Sequence, residues 1–224
     1  MKYLVFDTST IISIATNDLL WVLKPLKDIF KGEFYIPDSV KFELVDKPFE
    51  TKLFKLESIM LNKTLLDRNI LVYEKLNIEE LLNNVNNIYT VNGKNIHILD
   101  KAEVEALVLA LRLQAEAYVV DERTMRLLIE DPYALQSLLE KKLHTKVEIN
   151  NKLVKEFISI VRGIKVIRST ELLTIAFEKG LLNNYINSLS TNKELLDGLL
   201  WGLRLRGCSI STFEIDEIIK YESK

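Results

Sequence analysis

Short apolar segments followed at once by polar residues recur along the chain and predict buried strands. These segments cover residues 3–6, 34–36, 118–120 and 165–167, with a further candidate at 70–73. Continuous apolar runs of this length are typical of strands covered on both faces of a sheet. Because longer segments with helical periodicity lie between them, the pattern predicts an α/β fold of three layers, with a mostly parallel central sheet between two layers of helices.

The predicted helices follow the apolar periodicity, and several have polar residues at their starts. They cover residues 11–14, 19–26, 53–66, 78–89, 100–115, 171–179, 195–205 and 214–221, and two more are expected to begin near residues 40 and 123. Asp100 and Glu103 have the spacing of a capping box, and Gly180 would end the helix before it. The other candidate caps are Asp38 or Ser39, Ser169 or Thr170, and Ser211 or Thr212.

Length and composition indicate one domain over residues 1–224, with a C-terminal extension of a strand and helices from about residue 145. The chain is 48% hydrophobic and 28% charged, and its formal net charge is −2. A protein that contacts nucleic acid over a broad face is usually basic, so any such contact here must be local. The lone Cys208 excludes an intramolecular disulfide and favours a cytoplasmic location, and no apolar run is long enough to predict a membrane span.

Acidic and hydroxyl side chains stand where a parallel sheet places its ligands, beyond the carboxyl ends of the strands. Asp7 follows the first predicted strand, and Glu43 lies on the helix after the second. The remaining candidates, close to the third and fourth strands, are Glu103, Asp121, Glu122, Ser169 and Thr170. Clustered carboxylates repel one another unless a cation neutralises them, and oxygen ligands without His or Cys favour Mg²⁺ or Mn²⁺ over zinc. Such ions position phosphates and activate water, which indicates phosphodiester chemistry.

Each of these acids also has an ordinary structural interpretation. Asp7 and Asp121 could cap the helices that follow them, Glu43 could face solvent on a surface helix, and Glu103 could serve only the capping box. Glu103 and Glu105 lie about 200° apart around a helix, so both cannot easily face one site. We expect Glu105 on an exposed stripe, paired with Arg112, and therefore prefer Glu103 for the site.

Four segments of the chain, taken together, carry a family resemblance. They are Tyr3-Leu-Val-Phe-Asp7-Thr8-Ser9, Ile36-Pro37-Asp38-Ser39-Val40 with Glu43 after it, Asp100-Lys-Ala-Glu103-Val-Glu105-Ala-Leu-Val-Leu-Ala110, and Tyr118-Val-Val-Asp121-Glu122-Arg123. In this order they resemble the PIN-domain family of metal-dependent nucleases. The small residue before the third acid is Gly in the similar branch of that family and Ala102 here. The resemblance covers roughly the first 130 residues, and residues 166–211 are similar to the extended tail of that branch.

The resemblance implies an endoribonuclease that cleaves single-stranded RNA with a metal-activated water. It implies that Asp7, Glu103 and Asp121 hold Mg²⁺ or Mn²⁺ and that Glu43 completes the site or orients the water. Ser9 would support Asp121 or the metal, and the further supporting candidates are Glu105, Glu122, Ser169 and Thr170. The implied partners are RNA, a second copy of the chain in a homodimer, and an antitoxin-like protein, with no membrane.

Acids at strand ends are also compatible with other functions. A receiver-type phosphoacceptor domain needs an acid pair directly after the first strand, whereas Asp7 is followed by Thr8 and Ser9. A phosphatase of the Asp-x-Asp type fails at Ser9 for the same reason. A catalytically silent PIN-like scaffold that binds RNA or protein stays open as the alternative, because its acids would serve only as helix caps.

Overall fold

A computed structural model describes residues 1–186 and 191–222. The strands within those ranges are Lys2–Phe6 (β1), Gly32–Pro37 (β2), Leu71–Tyr73 (β3), Tyr89–Val91 (β4), Lys94–Asn95 (β5), Ala117–Val119 (β6), Glu148–Ile149 (β7) and Val166–Ile167 (β8). The α-helices are Thr8–Thr16 (α1), Leu23–Phe30 (α2), Asp38–Lys41 (α3), Lys47–Thr51 (α4), Lys55–Leu66 (α5), Glu79–Val85 (α6), Lys101–Arg112 (α7), Arg123–Glu130 (α8), Pro132–Leu143 (α9), Asn151–Val161 (α10), Ser169–Glu178 (α11), Asn192–Leu205 (α12) and Thr212–Glu222 (α13). A π-helical turn, Phe42–Asp46, joins α3 to α4.

Five of these strands form one sheet in the order β3-β2-β1-β6-β8, and each pairing is parallel. Val5, Phe6, Tyr118 and Val119 on the two central strands are fully buried, because helices flank the sheet. The predicted α/β fold with a parallel sheet is therefore confirmed. The chain leaves β1 toward β2 on one side and later returns to β6 on the other, which is the arrangement that opens a crevice at the carboxyl ends of the two strands.

A second, antiparallel sheet of the order β5-β4-β7 was not expected from the sequence. The predicted helix over residues 78–89 is wrong at its end, since α6 stops at Val85 and the chain turns into β4. Asn92 and Gly93 have φ angles of 50° and 72°, the left-handed pair that a two-residue hairpin turn requires. Burial of Tyr89, whose hydroxyl donates to the Pro132 carbonyl at 2.8 Å, fixes the hairpin against α9.

Two of the predicted helix caps are also wrong. The residue that precedes α3 is Pro37, and the one that precedes α11 is Arg168. The backbone amides of Ser39 and Ser169 are instead bound by carboxylates from distant parts of the chain. Ser211 accepts from the amide of Glu214 at 3.2 Å, as one of the predicted alternatives requires.

The segment that resembles the family's extended tail, residues 166–211, includes four positions, 187–190, that lie outside the described residues. Its first part contributes β8 to the main sheet, and α11 follows directly. No helix in residues 1–186 or 191–222 combines the length and the apolar character needed to cross a membrane.

Candidate metal centre at the carboxyl edge of the sheet

Asp7 stands at the junction of β1 and α1 and is 1% exposed. Its Oδ2 accepts from the backbone amide of Ser9 at 3.1 Å and from the Ser9 hydroxyl at 2.7 Å, so the side chain does cap α1. Its Oδ1 is buried and has no hydrogen-bond partner among the described residues. Because an unpaired carboxylate oxygen in the interior costs free energy, capping alone does not account for this side chain.

Ser9 connects the two central strands of the site. Its hydroxyl donates to Asp7 and accepts from the backbone amide of Asp121 at 3.1 Å. The backbone amide of Asp7 in turn donates to the carbonyl of Val119 at 3.0 Å. The ends of β1 and β6 are therefore fixed to each other by both backbone and side-chain bonds. The contact of Ser9 is thus with the backbone of Asp121 and not with its carboxylate.

The Asp121 side chain is fully buried and turned toward β8 and α11. Its Oδ1 accepts from the backbone amide of Ser169, and its Oδ2 from the Ser169 hydroxyl, both at 2.7 Å. Thr170 next to it has a different role, because its hydroxyl donates to Glu171 and lies 4.0 Å from the Cys208 sulfur. Each Asp121 oxygen accepts one bond from Ser169, and the Cys208 thiol also interacts with this carboxylate.

Glu103 is half-buried in the first turn of α7, and its Oε2 accepts from the backbone amide of Asp100 at 2.7 Å. The predicted capping box is therefore present. The pKa of Glu103 is raised to about 8, chiefly by burial and also by the charges of Asp7 and Glu122, against the opposing effect of the Asp100 amide. Glu122 caps α8 by accepting from the Met125 amide at 2.8 Å. Glu122 thus belongs to the same electrostatic neighbourhood as Asp7 and Glu103.

Glu43 lies in the π-helical turn, and its Oε2 accepts from the Thr8 hydroxyl at 2.7 Å. Burial, chiefly, raises the pKa of Asp7 to about 6, and the charge of Glu43 adds to this effect while the bonds from Ser9 oppose it. Glu43 is therefore not an isolated surface acid. Thr8 was not expected from the sequence as the partner of Glu43, although its position directly after Asp7 was a usable signal.

The prediction of an exposed Glu105 paired with Arg112 is wrong. Glu105 is 7% exposed because the start of α7 packs against α3. Its Oε2 accepts from the backbone amide of Ser39 at 3.3 Å, and its Oε1 lies 3.5 Å from Lys101 Nζ. Arg112 lies over the ring of Tyr73 instead, 5.5 Å from the ring centroid. Glu105 supports the start of α3 and lines the same groove as Glu43.

The chemistry of this edge fits a hard divalent cation. Its donors are carboxylate oxygens, one of them unpaired, and mutual repulsion contributes to the raised pKa values of Asp7 and Glu103. A cation bound between the carboxylates would neutralise their charge and remove this repulsion. Within the described ranges, however, no three His, Cys, Asp or Glu side chains converge at ligand distance. Glu103 and Asp121 are held by Asp100 and Ser169, so they would bind a cation through the lone pairs that these bonds leave free.

The fold and this acidic edge define a PIN-like α/β domain. A PIN-domain family model matches residues 3–131, more than half of the chain, which therefore belongs to the PIN-domain family. PIN domains are typically nucleases and generally use divalent metals. The comparisons with curated proteins and with solved structures each found no significant match. Asp7, Glu43, Glu103 and Asp121 lie inside the matched residues, whereas Ser169 lies outside them.

Proposed function

We propose that this chain is a metal-dependent endoribonuclease that hydrolyses phosphodiester bonds of single-stranded RNA. The observation that supports this function best is the buried, unpaired Oδ1 of Asp7, placed beside Glu43 and Glu103 at the carboxyl edge of the sheet. In a PIN domain this edge is where a hard cation and a phosphate would meet. Bound Mg²⁺ or Mn²⁺ would lower the pKa of a water molecule and neutralise charge on the attacked phosphate.

In this proposal Asp7, Glu103 and Asp121 are the metal ligands, and each is oriented by a neighbouring group. Ser9 fixes the rotamer of Asp7, and Ser169 holds both oxygens of Asp121. Outer hydrogen bonds of this kind keep ligand oxygens in place and tune their basicity. Glu43, held by the Thr8 hydroxyl, has a second carboxylate oxygen with which to orient a water.

The alternative is a catalytically silent scaffold that binds RNA or protein. The observation that favours it is that Asp7, Glu103 and Glu122 each cap a helix. Carboxylates placed only for capping need no cation. The two functions differ in what Mn²⁺ does to the purified protein, both to its stability and to its activity.

Asp7→Asn is the decisive variant, because asparagine caps helices as well as aspartate does and the fold should be retained. Its matched control is Asp131→Asn, since Asp131 caps α9 by accepting from the amides of Tyr133 and Ala134. Labelled single-stranded RNA is incubated with each protein in Mn²⁺, Mg²⁺ or EDTA. We expect metal-dependent cleavage by the unmodified protein and by Asp131→Asn, and a loss of roughly 100-fold or more in Asp7→Asn.

Thermal unfolding with and without Mn²⁺ accompanies the cleavage assay. At a hundredfold excess over Kd, a cation that binds only the folded state stabilises it by about 2.7 kcal/mol. The unmodified protein should show this stabilisation and Asp7→Asn should lose it. Equal cleavage by Asp7→Asn, or no cleavage with any metal, would refute the nuclease, and the second result without a change in melting temperature would favour the scaffold.

A further inference from the structure

A groove of about 560 Å³ opens beside the candidate metal centre, at the carboxyl ends of β2 and β3. It is lined by the start of α3, the π-helical turn, the first residue of α4, the segment after β3 and the start of α7. Glu43 lines the groove and also contacts Thr8 next to Asp7, so the groove is continuous with the acidic edge. Its volume lies within the range of sites that bind small molecules or single nucleotides.

Three exposed lysines, Lys47, Lys75 and Lys101, come from three different elements and meet around this groove. Lys47 and Lys75 form no ion pair among the described residues, and Lys101 lies 3.5 Å from the buried Glu105. Of the acids in the lining, Glu43 is partly exposed and accepts from the Thr8 hydroxyl, and Glu105 is buried and accepts from the Ser39 amide. The three lysine side chains are exposed to solvent, where phosphates would approach.

An aromatic ring completes the lining. Phe42 is 55% exposed although it is a large apolar side chain, and it lies in the π-helical turn directly before Glu43. An exposed ring beside cations is the combination by which proteins hold single strands, since bases stack on the ring and phosphates contact the cations. The chain's net charge of −2 requires a local contact of this kind rather than a broad basic face.

We propose that this groove binds the part of the RNA strand that adjoins the cleaved bond, with phosphates on Lys47, Lys75 and Lys101 and one base stacked on Phe42. The proposal rests on the proposed function, because it takes RNA as the substrate of the adjacent acids. It adds the path of the strand, from the ends of β2 and β3 toward Asp7. Asp38, the exposed acid in the lining, then lies where it repels the strand.

Binding is measured separately from cleavage, by fluorescence anisotropy of a labelled single-stranded RNA of about 10 nucleotides in EDTA. Each phosphate contact to a single strand contributes about 0.7 to the slope of log affinity against log salt, or about fivefold at 0.1 M salt. Replacing Lys47 and Lys75 with alanine should therefore lower the slope by about 1.4 and the affinity about 25-fold. Phe42→Leu should lower the affinity for RNA roughly 5- to 150-fold, whereas Phe42→Tyr, which keeps an aromatic ring, should retain the affinity of the unmodified protein.

Two further variants test the position and the sign of the effect. Lys142→Ala, in the densest basic segment of the sequence, removes an exposed lysine from the last turn of α9 and should leave both slope and affinity unchanged. Asp38→Asn should raise the affinity, because it removes a negative charge from the groove. Circular dichroism establishes that each variant is folded.

The proposal is overturned if the lysine and Phe42 variants bind as tightly as the unmodified protein, if Lys142→Ala weakens binding equally, or if no RNA binds at low salt. These outcomes are separate from failure of the proposed function. Groove-dependent binding without any metal-dependent cleavage would refute the nuclease but support the groove as an RNA-binding site. Metal-dependent cleavage that the groove variants do not affect would support the nuclease but refute the groove as an RNA-binding site.

Discussion

Removal of the Ser169 hydroxyl tests whether the region beyond the matched residues holds Asp121 in place. Ser169→Ala keeps the backbone bond to Asp121 Oδ1 and deletes the 2.7 Å bond to Oδ2. Both side chains are fully buried, so water cannot replace the lost donor without opening the structure. A hydrogen bond to a charged group contributes about 1.5–3 kcal/mol, and we expect the free energy of unfolding to fall by that amount.

Urea denaturation gives the change in the free energy of unfolding, and Ser13→Ala provides the matched control. Ser13 is equally buried, but its hydroxyl donates to the neutral carbonyl of Ser9 at 3.0 Å within α1. Its loss should cost at most about 1 kcal/mol, since no charged atom is left unpaired. RNA cleavage should fall roughly 10- to 100-fold in Ser169→Ala, because an unsupported ligand is less well oriented. Equal destabilisation by the two alanines, with unchanged cleavage, would refute this role of Ser169.

The remaining predictions concern one pair of acids, Glu103 and Glu105, and the single acid Glu214. Glu103→Gln should reduce RNA cleavage roughly 100-fold with little change in stability, because glutamine still accepts from the Asp100 amide. Glu105→Gln should lower stability and leave most of the cleavage activity. The opposite pattern in paired assays would assign the catalytic role to Glu105. Burial opposes ionisation of Glu214, but bonds from Ser211 and Arg168 outweigh it and lower its pKa to about 2. Its folded pKa lies below the unfolded value, so its stabilisation is present above pH ~4.3 and is lost as the pH falls toward 2. Urea titrations should show that Glu214→Gln lowers the free energy of unfolding by about 1 kcal/mol at pH 6, a figure discounted for the 42% exposed side chain of Glu214. This difference from the unmodified protein should shrink at pH 3. A difference that stays constant with pH would contradict the stabilising role of the Glu214 carboxylate.

The sequence predicted the parallel sheet and the strand-end positions of Asp7 and Asp121, because buried strands leave a strong local pattern of apolar residues. It also predicted the capping box of Asp100 and Glu103, whose two members are three residues apart. Contacts between residues that are far apart in the sequence could not be predicted from it. The burial of Glu105 depends on α3 packing against α7, and 66 positions separate Glu105 from Ser39.

The errors in helix boundaries have the same origin. Residues 78–89 have enough apolar periodicity for one helix, yet the Asn92-Gly93 turn and the pairing of β4 with β7 take Tyr89 into a strand. Ser169 is a residue type that commonly caps helices, but Asp121, 48 positions earlier, binds its amide and hydroxyl. Tertiary hydrogen bonds outweigh local propensity at both places.

The pairing of β8 with β6 has a consequence for anyone who produces this protein as a fragment. A fragment that ends with the matched residues, at Asp131, would keep the four proposed acids but lose both β8 and Ser169. β6 would become an edge strand whose side chains, Ala-Tyr-Val, carry no charge, and such unprotected edges pair with other chains and aggregate. The match to the family model therefore ends before the last strand of the main sheet, and inactivity of such a fragment would report on its folding as well as on its chemistry.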